Sequence, residues 1–366
     1  MRVITFFSLV PFLSRLGKPL KTRIIGRPKY EVIGPLTRFD QKYTILSRTS
    51  WDTSFQKMKR KYQEIHDERI LKENLLEDYA LRDASWYVAN TLGTFAGFMQ
   101  GNDGLYSWES LEVPEENLDS ETKFGKVEVH DLAAMSAKIK GAARFYGADL
   151  VGITRLNEFW VYSRSYNRLS GKNDPIRLPK RYRFAIVMAI EMDYEKFVMS
   201  DVGASAATGL GYSKMAFVSS LLAQFIRNLG YQALPCGNDT ALSIPLAIDA
   251  GLGELGRNGL LITPEYGPRV RLCKVLTDFP LKPDKPIDFG VQEYCKECKK
   301  CLENCPVHAI SEDQTANATT VSSNSGVLKW PVNGESCFRY WCETGIDCNI
   351  CIKVCPFNNN QQTSQR

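Results

Sequence analysis

Histidine is scarce in this chain. Only His66, His130 and His308 occur among 366 residues, which nearly excludes a multi-histidine metal site. Long apolar runs are also missing. None reaches the ~18–20 residues that a membrane-crossing helix needs. No basic run is on the scale of a nucleic-acid surface, and the net charge is only +5. No internal repeat stands out beyond two cysteine motifs. The segment Val3–Leu13 is apolar but short, contains Pro11 and follows a single Arg2. It reads either as the remnant of an export signal or as a buried segment. Neither a twin-arginine pair nor a clear small-residue cleavage site accompanies it.

Cysteine, by contrast, is concentrated. Nine of the 11 cysteines lie between Cys295 and Cys355. The first run is Cys295-Lys-Glu-Cys298-Lys-Lys-Cys301-Leu-Glu-Asn-Cys305-Pro306, which is C-x2-C-x2-C-x3-C-P. The second is Cys348-Asn-Ile-Cys351-Ile-Lys-Val-Cys355-Pro356, with Cys337 upstream. In two-cluster ferredoxins the three-cysteine loop wraps one cubane, and the distant Cys-Pro ligates the other. Cluster one is therefore expected to use Cys295, Cys298, Cys301 and Cys355. Cluster two is expected to use Cys305, Cys348, Cys351 and either Cys337 or Cys342. A disulfide framework suits small secreted domains, not 366 residues at 44% hydrophobic. Zinc also takes C-x2-C pairs, but the two Cys-Pro signatures argue against it. Cys236 and Cys273 stand alone in apolar surroundings and read as buried core thiols. Lys296, Lys299, Lys300 and Lys353 surround the motifs. They form either a solvated basic face or a landing site for an acidic donor or an anionic substrate.

The remaining pattern is α/β (α+β). Lys57–Asn90 reads as one charged helix with apolar spacing of three to four. Gly93–Trp108 reads as a glycine- and aromatic-rich lining loop. Asp131–Tyr146 is a helix closed by Gly147. Asp149–Thr154, Phe184–Ile190, Tyr231–Pro235, Leu260–Thr263 and Val270–Leu276 read as strands, and the apolar ones suit a sheet covered by helices. Tyr212–Asn228 reads as an amphipathic helix, and Ser243 starts another with Pro245 in its first turn. Ser311–Ser325, rich in Ser, Thr and Asn, reads as a flexible insert. Gly251-Leu-Gly253-Glu-Leu-Gly256-Arg-Asn-Gly259 contains G-x-G-x-x-G, but it follows a helix and enters a strand. That is the wrong order for a dinucleotide site. Two readings stay open: tight turns joining helix to strand, or a glycine loop that lets a large cofactor approach the backbone.

Three stretches together resemble the corrinoid-dependent reductive dehalogenases. They are Tyr30-Glu-Val-Ile-Gly through Phe39 to Lys42, Ala241 through the glycine stretch to Leu281, and Cys337-Phe-Arg-Tyr-Trp341 before Cys348. The resemblance spans roughly residues 30–358. It implies a nitroreductase-like corrinoid-binding core over 31–285, followed by a bacterial ferredoxin-like two-[4Fe-4S] module over 286–358. Residues 1–30 are then an N-terminal segment, and 359–366 a tail. It implies a cobalamin-type cofactor held without a histidine cobalt ligand, reduced through the clusters to Co(I), which cleaves a carbon–halogen bond.

By the same resemblance, Tyr212 in Thr208-Gly-Leu-Gly-Tyr212 is the proton donor, Arg271 its cationic partner and Asn238 the orienting neighbour. A phenol, with a pKa of about 10 in water, readily protonates a carbanion-like centre. From the residues alone, Tyr212 is equally a core or capping aromatic that opens its helix, and Arg271 a solvent-facing strand residue. Thr208, Gly251, Gly253, Gly256, Gly259 and Trp341 are the expected corrinoid contacts. Phe39, Trp108 and Trp341 are candidate pocket walls. Cys337 is preferred over Cys342 because it heads the family-like stretch.

The implied partners are a small organohalide, a small membrane anchor protein and an electron donor, with no nucleic acid. The implied location is peripheral, on the outer (periplasmic) face of the cell membrane. Family members usually carry a twin-arginine signal and continue past the last cluster cysteine. This chain does neither, so it reads as shortened at both ends, and a cytoplasmic location stays open. The rival readings are an epoxyqueuosine reductase acting on tRNA and a noncatalytic ferredoxin-type carrier.

Overall fold

The computed structural model describes residues 22–72, 75–91 and 125–358. Expectations for Gly93–Trp108, including Trp108 itself, for residues 1–21 and for the tail 359–366 lie outside the described residues.

Two short strands, β1 (Arg23–Ile24) and β2 (Glu31–Val32), come first. Helices α1 (Ile45–Trp51), α2 (Thr53–Lys72) and α3 (Leu76–Thr91) follow. The single helix expected over Lys57–Asn90 is thus two. Different partners divide it: α2 packs on a helix of the cysteine module, whereas α3 packs along the longest helix of the core. Next are α4 (Leu132–Phe145), capped by the Asp131 carboxylate, and the strands β3 (Leu150–Arg155) and β4 (Phe184–Glu191).

Helix α5 (Tyr194–Met199) leads into α6 (Asp201–Asn228). Ser200 caps α6, its Oγ accepting the Gly203 N–H at 2.9 Å. Tyr212 therefore sits mid-helix and does not open it. The sequence hides the first turns because Gly203, Gly209 and Gly211 are poor helix formers. They are there for space. A Cβ at Gly209 would run into the Trp86 ring, and one at Gly211 would meet Arg271 Cγ at 3.0 Å.

Strand β5 (Ala233–Cys236), helix α7 (Ser243–Asp249), the hairpin β6 (Glu254–Leu255)–β7 (Leu261–Ile262) and strand β8 (Val270–Thr277) complete the core. The main sheet runs β3-β4-β8-β5, antiparallel throughout. Its strands nevertheless read as continuous apolar runs, because both faces are covered. On one face Ile186, Met188, Cys273 and Val275 pack against α4 and α6 through Ile139, Val218 and Leu222. On the other, Val187, Leu272 and Leu276 pack against α7 and the segment around Trp160 and Tyr162. Gly152 on β3 approaches α7 so closely that an added Cβ would run into the Ala250 carbonyl.

The cysteine module contains β9 (Ile287–Asp288), α8 (Val291–Glu297), α9 (Lys300–Glu303), β10 (Val327–Leu328), α10 (Gly334–Thr344) and α11 (Ile350–Lys353). It is α10 that packs on α2, through Phe338 stacked on Phe55 with ring centroids 5.7 Å apart. Strand β1 pairs with β9, and β2 with β10. The start of the described chain is thereby tied to the module rather than set apart. The segment expected as a flexible insert folds back on β10, with Thr315 and Lys329 exchanging main-chain hydrogen bonds.

Gly152→Ala is expected to destabilise the fold by about 1–3 kcal/mol, the usual penalty for forcing a methyl into a filled core. Denaturant unfolding that leaves the midpoint unchanged would show that β3 and α7 can part freely.

Candidate functional site

Helix α6, the end of β5 and strand β8 bring Tyr212, Asn238 and Arg271 together. Asn238 Nδ2 donates to the Tyr212 phenol oxygen at 2.8 Å. The Arg271 guanidinium lies over the Tyr212 ring, 5.0 Å from its centroid. Arg271 Nη2 also donates to Thr208 Oγ1 at 3.3 Å, one helical turn before Tyr212. Arg271 Nε is buried and finds no acceptor among the described residues.

Trp86 of α3, which the sequence reading missed, stacks on Tyr212 with centroids 5.2 Å apart and planes at 25°. Ser213 Oγ fastens α3 beside it, donating to the Ser85 carbonyl at 2.7 Å. The signal for Trp86 was present in Gly209, because a glycine inside a long helix marks a large close neighbour. Phe39 reaches the site at one remove. Its ring lies 6.3 Å from that of Tyr162, whose hydroxyl donates to the Asn238 carbonyl at 3.4 Å.

The turn after β5 is tightly specified. Asp239 accepts from the Gly237 N–H at 2.8 Å and from Thr240 Oγ1 at 2.7 Å. Thr240 has φ 69°, a left-handed backbone that costs a residue with a Cβ about 1–2 kcal/mol. The wholly buried Lys274 of β8 donates into the same turn, to the carbonyls of Gly237, Asp239 and Ala241.

The module gathers its thiols into two groups. Burial pushes the Cys355 thiol up to about 12, and the neighbouring Cys295, Cys301 and Cys298 add to the rise. Cys301, pushed up to about 11 by burial, feels Cys295 and Cys298 in turn. In the second group, burial and the nearby Cys348 and Cys305 push Cys337 up to about 12. Cys351 is raised chiefly by burial, then by Cys337 and Cys348. Half-buried thiols whose thiolates repel one another form a donor set suited to a cationic metal guest. Cys342 is different. It is packed with Phe55 and Phe338 at 1% exposure, and its influences beyond burial are Glu343 and Lys61. The Ala309 N–H donates to Cys305 Sγ at 3.2 Å.

Arg257, inside the glycine stretch, joins core to module. It is 2% exposed and donates to the Cys295 carbonyl at 2.7 and 3.0 Å and to the Glu312 carbonyl at 2.7 Å. Its guanidinium lies over the Trp330 ring. The four glycines around it are pressed against the chain itself. Added Cβ atoms would meet Lys285 O at Gly251, Ile262 O at Gly253, Asn258 Oδ1 at Gly256 and Val332 at Gly259. Gly251 and Gly259 also have φ of 75° and 73°. In the direction of an added Cβ, these glycines are thus filled by the chain's own tight turns. Trp341 packs with Phe338 near Phe55, Met58 and Tyr62.

A tetrachloroethene reductive dehalogenase of Desulfitobacterium hafniense is 39% identical over 295 residues, 70% of this chain and 53% of that protein. Over these residues the chain belongs to the reductive dehalogenase family. Residues 294–358 match a family described as a 4Fe-4S double cluster binding domain. A solved reductive dehalogenase, described as suggesting a mechanism for B12-dependent dehalogenation, superposes with a TM-score of 0.69 at 23% identity. That superposition covers 93% of this chain and 45% of the other, and it shows a shared fold. An epoxyqueuosine reductase of Lactococcus garvieae is 34% identical over 118 residues, 32% of each chain. The chain spans about half the length of the reductive dehalogenases it matches.

Cys337→Ser is expected to lower the iron bound by anaerobically purified chain by up to about half, whereas Cys342→Ser retains the parent's iron. The reverse pattern in iron analysis would give the fourth place in the second group to Cys342.

Proposed function

We propose that this chain is the catalytic region of a reductive dehalogenase that replaces a halogen of a small organohalide with hydrogen. The observation that carries the reading is the convergence of Tyr212, Asn238 and Arg271 in a chain whose residues 294–358 match a 4Fe-4S double cluster binding domain. The clusters would be held by Cys295, Cys298, Cys301 and Cys355, and by Cys305, Cys337, Cys348 and Cys351. A corrinoid, when bound, supplies the low-valent cobalt that reduces the carbon–halogen bond, with the clusters as its electron source.

The residues present fit such a guest. Arg271 Nε is a buried donor that an acceptor on a bound group would satisfy. Thr208 and Trp341 are the proposed corrinoid contacts from α6 and α10. The glycine stretch contributes by the tight turn that lets Arg257 reach the first cysteine loop. We further propose that the core is nitroreductase-like, and that a membrane anchor protein and an electron donor serve it at the outer face of the membrane. Among the described residues no helix is long and apolar enough to cross a membrane.

The overall change takes up two electrons and one proton, and it releases halide as hydrogen takes its place on carbon. Tyr212 supplies that proton. Its oxygen accepts the Asn238 amide N–H, which fixes the position of the phenol from which the proton is given to the substrate carbon. Arg271, fixed over the ring, stabilises the negative charge left on the oxygen. Trp86 holds the ring plane and keeps water from that face.

Chain produced anaerobically with corrinoid supplied is expected to carry about eight irons and one cobalt. Tyr212→Phe should lower chloride release at least ~100-fold, the scale of a lost general acid, with metal content unchanged. Two clusters without corrinoid under those conditions would falsify the enzyme reading and leave an electron carrier.

A further inference from the structure

Asn238 is exposed, and it sits in a turn whose left-handed Thr240 does not follow from residue preference. Something must hold that turn against the end of the sheet. Lys274 lies directly across the ladder from Cys236, the last residue of β5. It is three residues beyond Arg271, so the two side chains leave β8 on opposite faces. Arg271 rises toward α6 and Tyr212. Lys274 goes to the other side, at 0% exposure, and turns under the Asn238 turn.

There its Nζ lies 2.5 Å from the Gly237 carbonyl, 2.9 Å from that of Asp239 and 2.7 Å from that of Ala241. Ser243 Oγ is a fourth neighbour at 3.1 Å. Two of these carbonyls flank Asn238 on either side. An ammonium has three N–H donors, and three carbonyls take one each. Burial lowers the Lys274 pKa from the ordinary lysine value, and the three carbonyl acceptors are the contacts that suit its charged form against that penalty.

We propose that Lys274 is a positioning residue. Its ammonium fixes the Gly237–Ala241 turn so that the Asn238 amide meets the Tyr212 phenol oxygen. The inference rests on the reading of Tyr212 and Asn238 as reacting and orienting groups. Lys274 acts only through Asn238. One strand thereby sets the phenol from both sides of the sheet, with Arg271 above it and Lys274 beneath its hydrogen-bond partner.

The test places 3-fluorotyrosine at position 212 of the full chain and reads its fluorine resonance. Lys274→Met is expected to move that resonance in the same direction as Asn238→Ala, and the double variant no further than the larger single change. A parent-like resonance in a folded Lys274→Met chain overturns the proposal, as does simple addition of the two shifts. If the Met variant does not fold, Lys274→Gln retains two donors and should give a partial shift of the same sign. A parent-like resonance there overturns the proposal equally. In halide release, Lys274→Met should lower kcat by the factor seen for Asn238→Ala, with KM unchanged. A parent chain that releases no halide sinks the dehalogenase reading alone, because the fluorine resonance requires neither substrate nor turnover.

Discussion

Strand β8 carries Arg271 and Lys274 out of opposite faces of a sheet lined mostly by apolar side chains. Burying a cation costs several kcal/mol unless its donors are matched. Lys274 is matched by three carbonyls, whereas Arg271 keeps one buried donor without an acceptor among the described residues. The first arrangement belongs to a finished core and the second to a surface that expects a guest. Both depend on β8 being the interior strand between β4 and β5, where register fixes each side chain to within a residue.

The close approach of helices to that strand follows from small residues. Gly211 admits the Arg271 stem and Gly209 admits the Trp86 ring, so α6 lies against both. A methyl at either place would push the phenol away from its partners. The helix gives up some intrinsic stability at its glycines and gains proximity at its centre.

Much of this was legible where the information is local. Cysteine spacing encodes a loop around a cluster, and continuous apolar runs encode a sheet covered on both faces. Pro245 marked the start of α7 for the same reason. What could not be read depends on distant partners. Trp86 becomes a site residue only because α3 folds onto α6. Arg257 looks like a surface charge until its acceptors are seen, and they are main-chain carbonyls of Cys295 and Glu312, invisible to side-chain pattern. Lys274 sits in an apolar strand, where a lone lysine reads as an edge or an error. The division between α2 and α3 escaped notice because both halves share one spacing and differ only in what they pack against.

The pairing of β1 with β9 and of β2 with β10 joins the first described residues to the cysteine module. During synthesis those two amino-terminal strands emerge long before their partners. At ordinary ribosome speeds the delay is on the order of tens of seconds. Through that interval the α/β sheet can form, but β1 and β2 have no ladder to join. Closure of this part of the molecule thus waits for the module that would hold the iron, because only β9 and β10 give the first described strands their ladders.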